Sequence, residues 1–256
     1  MARSQLITGI VGESITFATG DLTRAFNAPY AASGIELRGA ALANDNWNFC
    51  PRLRKAWKFT LVGSVYRDDT EILTERGTNQ TATFNSMVAT DDFIYIGVDV
   101  PFRGVYVNVV NANSTASVLS AFYWDGSAWT GLTETDGTAS AGATLAIDNV
   151  ITWTVPTDWA KTIVNGSGPL YWVRMNSSGG TDSATSLAEV IPLSIQGTSS
   201  SIGGSDTPVV VATAVAAPRY WFDSDHVGGV EVLAANTEVV RIEWLITSPV
   251  TAKFVQ

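Results

Sequence analysis

Apolar residues recur at every second position of this chain, in one short run after another, and that period is the strongest restriction on its fold. In 93–100, Ile94, Ile96, Val98 and Val100 share one side, and in 104–110 Val105, Val107 and Val109 do. Ile151, Trp153 and Val155 alternate with Thr152 and Thr154. Tyr171, Val173 and Met175 oppose Leu170, Trp172 and Arg174. Near the C-terminus, Val240, Ile242, Trp244 and Ile246 oppose Val239, Arg241, Glu243 and Leu245, and Trp57, Phe59 and Leu61 begin a similar run earlier. A period of two places alternate side chains on opposite faces of a strand. The β-branched and aromatic residues that fill these runs pack well on a pleated surface. Asp125-Gly126, Asp136-Gly137, Asn165-Gly166 and Ser178-Gly179-Gly180 supply turns, since Gly accepts positive φ at no steric cost. Pro101, Pro156 and Pro192 stand at strand ends, where a missing N–H does least harm. Helical turns are expected only at 68–76 and 157–164, the second with Thr157 as a candidate N-cap. The expected fold is all-β, an antiparallel β-sandwich or jelly-roll-like structure.

Four regions follow. Residues 1–85 read as an N-terminal arm and docking β region, 86–195 as the central β-sandwich, 196–207 as a Gly/Ser linker, and 208–256 as C-terminal strands. The last region is too short to bury a core by itself. It is therefore expected to pair with the N-terminal segment as a second, smaller β region.

A chain of 256 residues, 46% apolar and 15% charged, buries a core without covalent staples. The lone Cys50 has no internal disulfide partner. A net charge of −9 opposes binding to nucleic acid or to an anionic membrane, because phosphate contacts need a surplus of Lys and Arg. Arg52, Arg54, Lys55 and Lys58 form a local exception. They read either as a solvated strand or as a docking patch for an acidic protein partner. The opening MARSQLITGIVGES lacks the apolar core of a secretory signal, and no apolar stretch approaches the ~18 residues of a membrane span. Synthesis in a cytoplasm is expected.

Catalytic chemistry has little to work with. The one histidine, His226, follows Asp223 and Asp225, but transition-metal sites usually draw three or four ligands with more than one His or Cys. No Gly-x-Ser-x-Gly elbow accompanies it, and Cys50, followed by Pro51, reads as a small buried hydrophobe. Asp125, Asp136, Asp158 and Glu189 could supply paired carboxylates, although Asp125 and Asp136 are explained by the glycines that follow them. No residue is assigned to catalysis, a cofactor or a metal.

The distinctive feature is nine Trp, six of them in Phe122-Tyr123-Trp124, Trp129, Trp153, Trp159, Tyr171-Trp172 and Tyr220-Trp221-Phe222. Adjacent aromatics in a strand point to opposite faces, so each doublet turns one ring outward. Outward rings serve either subunit contacts, where aromatics are enriched, or a platform for the apolar face of a sugar. Trp124, Trp129, Trp172 and Trp221 join the basic cluster as candidate interface residues.

Residues 90–193 resemble β-sandwich modules of virion proteins from tailed bacteriophages. The likeness lies in Asp91-Asp92-Phe93-Ile94-Tyr95-Ile96-Gly97, Pro101-Phe102-Arg103-Gly104-Val105-Tyr106-Val107 and Phe122-Tyr123-Trp124-Asp125-Gly126-Ser127-Ala128-Trp129. It continues through Thr135-Asp136-Gly137-Thr138, Ile151-Thr152-Trp153-Thr154-Val155-Pro156-Thr157-Asp158-Trp159 and Tyr171-Trp172-Val173-Arg174. The resemblance implies a non-enzymatic virion component assembled in the host cytoplasm. It would be a capsid decoration (cement) protein, often trimeric, bound to the major capsid protein, or else a tail or baseplate part. A carbohydrate-binding surface module is the alternative.

Overall fold

The computed structural model describes residues 6–16, 24–29, 32–39, 46–74, 80–195, 202–203, 207–208, 219–221, 225–233 and 239–248. Within them the regular structure is almost entirely antiparallel sheet. Two sheets form the sandwich. The larger has seven strands: Trp129–Gly131, Leu119–Trp124, Leu170–Ser177, Phe93–Val98, Leu53–Thr60 and Val65–Asp68 in that order, with Lys161–Thr162 paired to Leu170–Ser177. The smaller has five: Glu134–Asp136, Asn149–Trp153, Gly104–Asn111, Ser186–Leu193 and Ala82–Thr83.

Between them lies the core. Ile94, Ile96, Val98, Val173 and Met175 from one sheet meet Val105, Val107, Ile151, Leu187 and Val190 from the other. All but Leu187 and Val190, whose three-residue spacing spans a register shift, belong to the inward sets that the alternation marks out. The edge-to-face pair Phe102–Trp153, with ring centroids 5.5 Å apart, closes one part of this core.

The sandwich draws on residues ahead of 86. Leu53–Thr60 hydrogen-bonds along Phe93–Val98, and Ala82–Thr83 along Ser186–Leu193. Alternation around Trp57 marks a strand but carries no information about its partner. A register shift between Leu53 and Lys55 inserts one extra residue. The bulge therefore lets Leu53 and Ala56, three positions apart, both reach the core.

The helix expected within 68–76 is one turn, Thr70–Thr74, with Leu73 buried beneath it. No helix forms at 157–164. Trp159 is drawn into the core, the Ala160 N–H donates to the Trp124 carbonyl at 3.0 Å, and Lys161–Thr162 pairs with Tyr171 and Leu170. Tertiary contacts thus take the backbone donors that a helix would have used.

The chain termini build the second β region. Val239–Ser248 lies between Leu6–Thr16 and Ala32–Gly39, which in turn pairs with Arg219–Trp221. Val227–Leu233 lies between Arg24–Asn27 and Asn46–Pro51. This region is fastened to the sandwich by an ion pair, Arg103 Nη2 to Glu231 Oε2 at 2.7 Å, and by an apolar cluster of Ala25, Cys50, Tyr106, Ile191 and Leu193. Of 196–207, Ile202–Gly203 pairs with Thr207–Pro208 and the remainder lies outside the described residues.

Candidate functional site

The outer face of the seven-stranded sheet is aromatic. An antiparallel sheet with one wet face ordinarily turns polar side chains outward. Here the strands turn out Trp57 and Phe59, Tyr66, Phe93 and Tyr95, Trp172, Phe122 and Trp124, and Trp129. All but Trp57, Tyr95 and Trp172 are partly exposed.

Gly97 organises one side of this face. It stands opposite Trp172, and a Cβ there would lie 2.8 Å from two atoms of the Trp172 ring. The missing side chain lets the indole lie across the strand onto Trp57, with centroids 5.0 Å apart and planes inclined by 27°. Trp172 Nε1 donates to the Thr162 carbonyl at 3.0 Å, and Val164 and Leu170 complete the cover. Trp172 points to the expected face, yet it is 0% exposed. Its own chain covers it, so it offers no surface to a partner.

Tyr95 sits at the centre. Its ring meets Trp129 edge-on at 5.6 Å, Trp172 at 6.3 Å and Tyr66 at 5.7 Å. Burial, then the neighbouring Tyr95, pushes the Tyr66 hydroxyl up to about 12. Arg174 lies beside it, its guanidinium over Phe93 at 4.4 Å, Trp129 at 4.8 Å and Phe122 at 5.4 Å. Arg174 Nε is buried without a hydrogen-bond partner, and no described carboxylate pairs with the guanidinium.

Trp124 and Trp129 face each other across a hairpin, edge to face at 5.7 Å. Asp125 holds its turn. The carboxylate accepts from the Ser127 and Ala128 N–H groups, each at 2.7 Å, and from Thr130 Oγ1 at 2.8 Å, while Gly126 takes a φ of 101°. Those backbone hydrogen bonds hold the Asp125 carboxyl well below the usual range.

The basic cluster does not form one patch, because the bulge breaks its alternation. Arg52 Nη2 donates to the Val227 carbonyl at 3.2 Å. Arg54 pairs with Asp99 and donates to the Asp225 carbonyl. Lys55 points outward to Asp68 at 2.6 Å. Lys58 donates to the Asn85 carbonyl at 2.6 Å, and burial lowers its pKa. Trp221 pairs with Gly34 through its strand, and its side chain lies outside the described residues.

No protein-family model matches this chain, and no curated protein does.

The carboxylates considered for catalysis have other partners. Asp136 accepts from the Thr138 N–H at 2.9 Å, Asp158 from the Tyr123 hydroxyl at 2.9 Å, and Glu189 from Asn27 Nδ2 at 3.4 Å. Among the described residues no three His, Cys, Asp or Glu side chains converge as metal ligands. The face can bind flat apolar surface and, through Arg174, a negative charge. Arg174, Tyr95, Phe93 and Tyr66 are its members that sequence reasoning did not single out. The signal was present in their shared parity, but only strand order brings them together.

Proposed function

We propose that this chain is a non-enzymatic structural protein of a tailed-bacteriophage virion, a capsid decoration protein that stabilises the head by bridging capsid subunits, acting as a homotrimer. The setting rests on the resemblance across residues 90–193. The observation that carries a bridging role is the hairpin between Leu53–Thr60 and Val65–Asp68. Its tip exposes Leu61, Val62 and Val65 at 50%, 79% and 55%. It is an ordered turn: the Ser64 N–H donates to the Leu61 carbonyl at 2.9 Å, the Leu61 N–H donates to Asp92 at 2.9 Å, and Gly63 and Ser64 take φ of 81° and 50°. Among the described residues Val65–Asp68 is also a sheet edge. An apolar tip on an open edge is the kind of surface that folded proteins cover with a partner. Particles lacking the protein should release DNA at lower temperature, and added protein should restore the loss where Val62→Asp does not. Equal stability with and without the protein would remove the decoration reading.

A second reading, a carbohydrate-binding tail or surface module, is favoured by the partly exposed Trp124–Trp129 pair. It requires that Trp124→Ala and Trp129→Ala each abolish hits on a glycan array.

A further inference from the structure

We infer that the outer aromatic face binds a carboxylate-bearing saccharide, with Arg174 as the partner of the carboxylate. This rests on the carbohydrate reading and deepens it.

Charge is the first ground. The chain has 24 Asp and Glu against 15 Lys and Arg, so a cation has no shortage of internal partners. In the same sheet, Arg54, Lys55 and Arg67 each pair with an aspartate. Arg174 pairs with none of the described carboxylates, although Nε is already withdrawn from water. Burying part of a guanidinium is unfavourable, and an anion at the accessible part of the side chain would offset its charge.

Orientation is the second. Phe93, Phe122 and Trp129 come from three different strands and enclose one guanidinium. Cation–π attraction holds the side chain in place before any ligand arrives, which lowers the ordering cost of binding. The guanidinium fork matches a carboxylate in a two-bond geometry.

Shape is the third. Arg174 stands on the face of the sheet, one strand in from Leu119–Trp124 and two from the edge strand Trp129–Gly131. Peptides that add to a sheet bind at an edge, through main-chain hydrogen bonds. The face offers rings and one cation instead. A pyranose presents polarised C–H groups to the negative face of an aromatic ring, and a uronate or sialate carries its carboxylate on that ring. This combination matches Trp129, Trp124 and Arg174.

The test is titration of the intact protein, followed by tryptophan fluorescence and calorimetry, with oligogalacturonates, hyaluronan oligosaccharides and sialyllactoses, each beside its methyl ester. Saturable binding of an acidic saccharide is expected. Esterification and Arg174→Gln should each weaken it by about tenfold or more, the scale of a lost hydrogen bond to a charged group. Arg174→Lys, which keeps charge but not the fork, should weaken it less. The ester comparison needs no variant, so the test stands even if a variant unfolds. Equal binding of acid and ester, or full affinity in a folded Arg174→Gln, overturns the role of Arg174 and leaves the carbohydrate reading intact. Silence from every saccharide overturns both. Binding of poly-glutamate alone would assign Arg174 to a protein contact and also overturn the inference.

Discussion

Trp172 stacks on Trp57 across Gly97, at a centroid separation of 5.0 Å. The stack exists because position 97 has no side chain. Gly97→Ala should therefore push the indole off its partner and cost about 1–3 kcal/mol, the range for overpacking a filled site. Gly131→Ala is the control in the same sheet, since a Cβ there meets nothing within 4 Å. It should change stability by no more than about 1 kcal/mol. Denaturant titration checks both, and near-ultraviolet circular dichroism should change only for the first.

The ion pair between Arg103 and Glu231 joins the two β regions, and it is incompletely satisfied. Glu231 is fully buried, and both its Oε1 and Arg103 Nε are buried without a partner. Removing half of such a pair strands a charge. Glu231→Ala should destabilise by about 3–5 kcal/mol, whereas Arg103→Met with Glu231→Leu should be near neutral or stabilising. Thermal unfolding of the three proteins decides this. A double variant as weak as the single would mean that the pair itself, rather than the stranded charge, dominates.

Acid should weaken the fold through a few named aspartates. Burial opposes ionisation of Asp68, but hydrogen bonds from Lys55 and Thr70 outweigh it and bring its pKa down to about 2. Hydrogen bonds from Ser114, Ala184 and Thr185 hold Asp182 well below the usual range. A depressed folded pKa gives stability that is present above the unfolded value, near 3.9, and lost as pH falls through the folded one. Asp182→Ala should flatten this acid limb and cost on the order of 1 kcal/mol, less than a fully buried hydrogen bond to a charged group because the residue is partly exposed. Glu231 works in the opposite sense. Burial raises it from 4.5 to about 7, so its contribution is present below 4.5 and fades as pH rises through 7. Denaturation midpoints measured from pH 2 to 8 should show both slopes.

The strands were legible because their apolar period is local. Ile94, Ile96 and Val98 reach the core as their spacing requires, and Trp172 and Arg174 share the opposite face. What stayed hidden depends on register between distant segments. Nothing near Trp57 says that its strand lies along Phe93–Val98, so neither the early start of the sandwich nor the stack across Gly97 could be read. The bulge after Leu53 is equally silent, and it disperses Arg54, Lys55 and Lys58 to separate partners. The cage around Arg174 combines both effects: its rings come from three strands whose order only the sheet reveals.

Cys50 reports on the joint between the two β regions. It is 1% exposed, packed with Ala25, Tyr106, Ile191 and Leu193, and burial, then the nearby Glu231, raises its pKa well above the ordinary value. Only the thiolate attacks a disulfide reagent, so the thiol reacts after the joint opens. If opening costs about 4 kcal/mol, the reaction should run roughly a thousandfold slower than in denaturant, at tenfold per 1.4 kcal/mol. Glu231→Ala should speed it, because that variant weakens the same joint, while Gly97→Ala, which acts on the far face of the sandwich sheet, should leave it nearly unchanged. Stopped-flow absorbance with an aromatic disulfide at pH 8 measures all three rates. Native Cys50 reacting as fast as the unfolded chain would mean that the terminal β region does not seal against the sandwich.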